Sequence, residues 1–307
     1  MSRPDRLRLG AVGYLNARPL VYGLDRKPRF DLRYDVPSEC ARLLHDGSID
    51  VGLIPSIEYL RGPGPYALVP GPAVTSRGPV ASVALYTRVD PRDIRSIAMD
   101  SSSKTSVALA TVLVRRSFGV TPDAISMPPD LESMLARADA ALIIGDYALF
   151  LNPPFDSPLA EGRQSAIDNQ SALPKSAIPN QSAIRNPQSA IQKIDLGELW
   201  TTSTGLPFVY AFWAGWPDAV TPDDAEALRQ ARDEGVAHAE EVARDYYPDD
   251  PASEAVAARY LRDNIRYVLG DEELEGLQTF YRYATELGLV SYDGALRFYH
   301  AEHHGAR

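Results

Sequence analysis

Amides and hydroxyls, rather than imidazoles or thiols, mark the places where this sequence has equipment for chemistry. They gather in six stretches at the ends or starts of apolar runs: Tyr14–Arg18, Pro55–Tyr59, Thr75–Ser82, Asp100–Ser106, Gly145-Asp146 and Thr204–Tyr210. A helix start carrying Ser or Thr presents backbone N–H groups and hydroxyls, and its dipole favours an anion. Taken alone, Ser102, Ser103 and Thr105 need do no more than cap a helix. Repetition favours binding: several such starts at successive strand ends suit a small ligand with more than one carboxylate. Asn16, three residues ahead of Pro19, is either a cap or a group facing that ligand. Asp146 stays open between a base, an acceptor for the ligand and a cap. Arg18 and Arg77 either meet carboxylates or are surface charges, and Glu58 faces water.

Other machinery is missing from the pattern. The five histidines, His45, His238, His300, His303 and His304, lie outside all six stretches. The run His300-Ala301-Glu302-His303-His304 has the composition of a metal site, but it sits in a tail expected to be solvated. No metal-ligand spacing, phosphate loop or Cys/His pair is recognisable, so neither a metal nor a cofactor is expected. A net charge of −10 without any Lys/Arg-rich run argues against nucleic acid as a partner. Cys40 stands alone, which rules out a disulfide framework and fits a reducing compartment. The first residues have no apolar core like that of a signal peptide, and no apolar run is long enough to span a bilayer. The expectation is a cytoplasmic protein without a membrane partner.

Periodicity predicts the elements that hold these stretches. Leu7–Val12 predicts a buried strand, and Ala17–Leu24 a helix that tolerates Pro19 in its first turn. A strand over Phe30–Val36 and a helix capped by Ser38 and stopped by Gly47 follow. Asp50–Pro55 adds a strand and completes a parallel α/β beginning. The pattern restarts with strands at Ser82–Thr87 and Ser96–Met99, helices over Ser101–Phe118 and Leu131–Ala138, and a strand at Ala140–Ile144. Phe208–Ala214 predicts a further strand. Three amphipathic helices then close the chain: one capped by Thr221, one starting at Asp250-Pro251, one after Gly270. Residues 164–192 repeat Gln-Ser-Ala too irregularly for a solenoid and with too much polarity for a core, which predicts a disordered surface insertion. The restart and the return imply two crossings. Residues 1–87 plus 208–307 are expected to form one lobe and 88–207 the other, with a ligand cleft between them.

The blocks YLNARPL, GSIDVGLIPSIEY, SRGPVASVALYT, AMDSSSKTS, LIIGDYAL and TGLPFVYAFWA, in that order, resemble the menaquinone-biosynthesis family of the futalosine pathway. The resemblance runs from about residue 7 to 290 and skips the Gln-Ser-Ala repeat. It implies an α/β, two-lobed, periplasmic-binding-protein-like fold of type II with the ligand between the lobes. It also implies a hydro-lyase without a cofactor, which removes water from chorismate to give 3-[(1-carboxyvinyl)oxy]benzoate. The sister branch, 1,4-dihydroxy-6-naphthoate synthase, has a Ser-Pro-Cys-Pro-Asn-like stretch where this chain has Tyr14-Leu15-Asn16, so the dehydratase branch is the better match. A cytoplasmic sensor that binds an aromatic carboxylate without turning it over is the remaining alternative.

Carried onto this chain, the resemblance makes Asn16 and Asp146 the catalytic pair. Asn16 would orient the reacting face, and Asp146 would handle the C4 hydroxyl or the C3 proton. Alternatively, the substrate's own enolpyruvyl carboxylate takes that proton. Ser82, Ser102, Ser103, Thr105 and Ser106 would include the donors to the two carboxylates. Tyr14, Arg18, Ser56, Ser76 and Gly145 complete the expected substrate-binding set. Oligomeric state is not legible.

Overall fold

Four apolar runs, each buried at every position, organise the molecule. The computed structural model describes residues 6–151 and 191–299, so most of the Gln-Ser-Ala stretch and the histidine tail lie outside the described residues. Val51–Pro55, Val83–Thr87, Ala140–Ile144 and Phe208–Gly215 are the buried runs, as befits strands covered on both faces. They anchor two mixed sheets.

In chain order the strands of the first sheet are β1 (Leu7–Val12), β2 (Phe30–Asp35), β3 (Val51–Pro55), β4 (Ala67–Ser76), β10 (Phe208–Gly215) and β11 (Arg266–Val268). Those of the second are β5 (Val83–Thr87), β6 (Ser96–Asp100), β7 (Asp123–Met127), β8 (Ala140–Ile144) and β9 (Gln192–Asp195). The first sheet has the order β11-β4-β10-β3-β1-β2 and the second β7-β6-β8-β5-β9. Setting the short β11 aside, the plan is the same in both. Three parallel strands adjoin one antiparallel strand, β10 or β5, beyond which lies one more strand. This arrangement agrees with the two-lobed type II fold that the resemblance implies. Val83–Thr87, assigned from sequence to the first lobe, pairs in the second sheet, so the first crossing falls between Ser76 and Val83.

The two crossings run side by side, because Ser76 at the end of β4 pairs with Phe208 at the start of β10. Asp195 fixes them. Its carboxylate accepts the Val80 and Ala81 N–H groups at 3.0 and 2.6 Å and also caps the following helix through Gly197 and Glu198. Ala81 needs that support, since its φ of +63° is unfavourable for a residue with a Cβ.

Helices α1 (Pro37–His45), α2 (Glu58–Arg61), α3 (Lys104–Leu113), α4 (Leu131–Leu135), α5 (Gly145–Phe150) and α6 (Leu196–Thr204) connect or flank the strands. Then come α7 (Pro222–Ala237), α8 (Ala239–Tyr246), α9 (Pro251–Arg259) and α10 (Asp271–Glu286). Thr221 and Asp224 form a reciprocal capping box on α7. Four helices rather than three follow β10, because the chain breaks direction at His238 between α7 and α8.

Several local expectations are corrected. The helix expected over Ala17–Leu24 is a 3-10 turn over Leu15–Val21 followed by another at Leu24–Arg26. Pro19 lacks the N–H a longer α-helix would need there. Ser38 is not a cap: Val36 takes that position with Pro37 behind it, and the Ser38 N–H donates to the Ser102 carbonyl. The helix expected from Ser101 starts at Lys104 and passes at Val114–Phe118 into a π-helical turn. Strands β4, β7, β9 and β11 were not foreseen. Pro70 and Pro72 disguise β4, which tolerates them beside register shifts and a three-residue edge strand.

Candidate functional site

The strand ends converge on one cavity between the lobes. Its polar lining consists of Tyr14, Asn16, Ser82, Ser103, Ser106 and Tyr210, with Gly145 at the edge; Val12, Leu53, Val74, Val80 and Ile144 supply apolar walls. Apolar walls with a few converging polar groups are the usual form of a small-molecule site. Among the described residues, no Asp, Glu, His, Lys or Arg lines it. The phenols do not act as bases either. Burial raises both, Tyr14 to about 12 and Tyr210 further, so each keeps its proton.

Each lining group is held from behind. Asn16 sits in the 3-10 turn that follows β1, where no side chain caps the turn. Its amide is thus not used up as a cap, although it reaches the Tyr260 phenol. Ser103 is the cap of α3, and its Oγ accepts from the Ser106 N–H at 3.4 Å and the Ser106 hydroxyl at 3.1 Å. The cap and first turn of α3, the positive end of its dipole, therefore border the cavity through Ser103 and Ser106. Gly145 has a φ of +69°, and a Cβ there would press on the Tyr14 ring at 3.3 Å. Ser82 takes the Gly145 N–H on its carbonyl at 2.8 Å and the Tyr260 hydroxyl on its Oγ at 2.6 Å.

The remaining residues singled out in the sequence lie outside the lining. Asp146 turns away from the cavity: its oxygens accept from the Leu15 N–H at 3.2 Å and the Tyr246 hydroxyl at 2.5 Å. Burial pushes its carboxyl above the ordinary range, and the two donors pull it partly back. Ser102 donates to Asp100 Oδ1 at 2.7 Å and accepts from the Tyr14 hydroxyl at 3.2 Å. Thr105 Oγ1 accepts from the Ile57 N–H at 3.1 Å, and Ser56 donates to the Val209 carbonyl at 2.8 Å. Ser76 meets the Tyr210 hydroxyl at 3.2 Å behind the wall. The Arg18 guanidinium lies over the rings of Tyr34 and Tyr246 at 4.5 and 5.2 Å, and its Nε is buried without a partner. Arg77 pairs with Glu272 at the surface and Glu58 with Arg61.

These outlying residues share a task. Tyr14 to Ser102, Ser38 to Ser102, Leu15 and Tyr246 to Asp146, and Ile57 to Thr105 all join the first lobe to the second. The lobes are drawn together, and the cavity between them encloses about 50 Å3. A cavity that takes one benzene needs about 150 Å3.

Tyr210, Tyr246, Tyr260 and Asp100 were not singled out from the sequence. Tyr210 ends one of the six polar stretches, Thr204–Tyr210, but was not named as a site residue, and Tyr246 and Tyr260 lie on helices that carried only packing signals. Only Asp100, first residue of Asp100-Ser101-Ser102-Ser103, had a local cue, as an Asx turn before a helix. Among the described residues, no group of His, Cys, Asp and Glu could hold a metal ion, and no helix is long and apolar enough to cross a membrane.

Comparison with known proteins gives the family. A family model described as menaquinone biosynthesis matches residues 7–163 and 181–286, and its gap falls within the Gln-Ser-Ala repeat. A curated chorismate dehydratase from Thermus thermophilus is 31% identical over 282 residues, covering 92% of this chain and 95% of the relative. Solved structures share the fold at lower identity. A protein from Archaeoglobus fulgidus aligns at TM-score 0.65 and 15% identity, over 94% of this chain and all of that one. The alkanesulfonate-binding protein of Xanthomonas axonopodis pv. citri, bound to MOPS, aligns at 0.60 and 15%, over 95% and 96%. A Candida albicans protein with the generic periplasmic binding protein fold aligns at 0.59 and 11%, over 94% and 92%.

Proposed function

This chain belongs to the menaquinone-biosynthesis family, and from that premise we propose that it is a hydro-lyase converting chorismate to 3-[(1-carboxyvinyl)oxy]benzoate and water. One observation carries the reading of the site: the cavity offers hydroxyls, an amide and a helix N-terminus, and no charged side chain among the described residues. Such a lining suits a dianion that brings its own charge and needs donors. Ser103, Ser106 and the start of α3 hold one carboxylate, with the dipole adding to the attraction. Ser82 serves the other, and Asn16 fixes the ring face.

The reaction removes the C3 proton and the C4 hydroxyl, and the cyclohexadiene becomes a benzene ring. Aromaticity supplies the driving force, so a weak, well-placed base suffices. Among the described residues none lies in the cavity, since Asp146 accepts hydrogen bonds from Leu15 and Tyr246 outside it. The enolpyruvyl carboxylate, whose ether oxygen is bonded to the carbon that loses the proton, takes that role. Its proton leaves with the C4 oxygen as water. Asp146 is then a positioning group that holds the Asn16 turn and closes the lobes. Closure excludes water and fixes the ring against its donors.

The test is to incubate the purified chain with chorismate and follow the aromatic product by ultraviolet absorbance and mass spectrometry. Product with a mass lower by one water supports the reading. Binding of chorismate without turnover would make the chain a sensor, and no binding at all would overturn the assignment.

A further inference from the structure

Ser82 lines the cavity, yet it is held by a residue from the far end of the chain. We infer that Tyr260 is a positioning residue, whose phenol donates to Ser82 Oγ at 2.6 Å from behind the wall and thereby aims the Ser82 O–H into the cavity at a ligand carboxylate. A serine hydroxyl has one hydrogen to give and two lone pairs to receive. Tyr260 is buried, so its phenol stays protonated and acts as the donor of this pair. Ser82 is 1% exposed, and among the described residues no acceptor takes its hydrogen. The cavity is the direction left open.

The backbone of Ser82 is fixed just as firmly. Its N–H donates to the Val80 carbonyl at 2.7 Å, and its carbonyl takes the Gly145 N–H. Ala81, just before it, is pinned by Asp195. Tyr260 opens a π-helical turn, Tyr260–Asn264, that grips the same crossing twice. Tyr260 meets Ser82, and Asn264 Nδ2 donates to the Pro79 carbonyl at 2.9 Å. Asn16, on the neighbouring stretch of the lining, is close enough to the same phenol to affect it. A donor whose rotor and backbone are both set before binding costs little to reorganise.

This inference rests on the function proposed above, since Ser82 has a carboxylate to meet only if the cavity binds one. The test is a double-mutant cycle on the full chain with Tyr260→Phe, Ser82→Ala and both. Steady-state kinetics on chorismate and calorimetric affinity for benzene-1,3-dicarboxylate are read together, with thermal unfolding as a control. Tyr260→Phe is expected to lose about tenfold in kcat/KM and in affinity while its Tm stays within a few degrees. The double variant is expected to be no worse than Ser82→Ala alone. Additive losses, or no loss in Tyr260→Phe, overturn the inference. If Tyr260→Phe does not fold, Ser82→Thr and Ser82→Cys decide: Thr keeps a strong donor and retains affinity, Cys does not, and equal affinity overturns it. A wild-type chain inert toward chorismate but obeying the cycle in dicarboxylate affinity would sink the proposed function and leave Tyr260 in place.

Discussion

Two strand ends in the second sheet face the same cleft and use their polar groups in opposite ways. At the end of β6, the Ser102–Ser106 stretch sends Ser103 and Ser106 into the cavity, with the amides of α3 behind them. At the end of β8, the backbone of Gly145 borders the cavity while the Asp146 carboxylate turns to Leu15 and Tyr246 on the other lobe. Position at a strand end therefore does not decide a role; the nearest partners do. A serine cap leaves first-turn amides free for a ligand, whereas a buried carboxylate must find donors within the protein. On the proposed function the first end receives charge, while the second clasps the two lobes together.

Substitutions can break or sharpen this contrast. The largest effect is expected at Asn16, which lines the cavity opposite the β6 end. Asn16→Ala should lower turnover of chorismate by about 100-fold or more, the usual scale for losing one group aimed at a reacting centre, with little change in Tm. Ser106→Ala should come next, raising KM about tenfold with a smaller change in kcat, because it removes a donor used equally before and during reaction. At the clasp, Asp146→Asn should cost less than about tenfold in kcat, since an amide oxygen still accepts one of the two donors. A loss as large as that of Asn16→Ala would erase the distinction between the two strand ends.

The smallest effect is a pH slope. Burial raises the Asp146 carboxyl above its ordinary value of 3.8. The folded chain therefore holds that proton to higher pH than the unfolded chain does. The stability this contributes is complete below the unfolded value and is lost as pH rises through the folded one. Asp146→Asn should gain in Tm relative to wild type as pH rises above about 4, measured by calorimetry across the acid range. Burial also raises Asp100, which contributes in the same direction in both proteins.

The features legible in the sequence were those set locally. Val51–Pro55, Ala140–Ile144 and Phe208–Gly215 are continuous apolar runs, and the caps at Thr221 and Asp250 lie next to the helices they start. Strand β7 could not be read, because its edge position leaves it mostly exposed and removes the apolar signal. The lining coincides with polar motifs beside predicted elements, as at Asn16 after β1, Ser82 before β5 and Ser103 before α3. It was hidden where a residue from the C-terminal helices reaches back, as Tyr246 and Tyr260 do across 100 and 178 positions. Asp146 shows the converse: its motif was visible, but the direction of its side chain depends on Tyr246, which no local pattern could reveal.

The central claim is that the cavity supplies donors while the substrate supplies the base. It is tested most directly by giving the chain chorismate whose enolpyruvyl carboxylate has been converted to an amide, beside native chorismate, with wild type and Asp146→Asn. Both forms of the protein should dehydrate native chorismate, and neither should dehydrate the amide. Dehydration of the amide by wild type, lost in Asp146→Asn, would contradict the account.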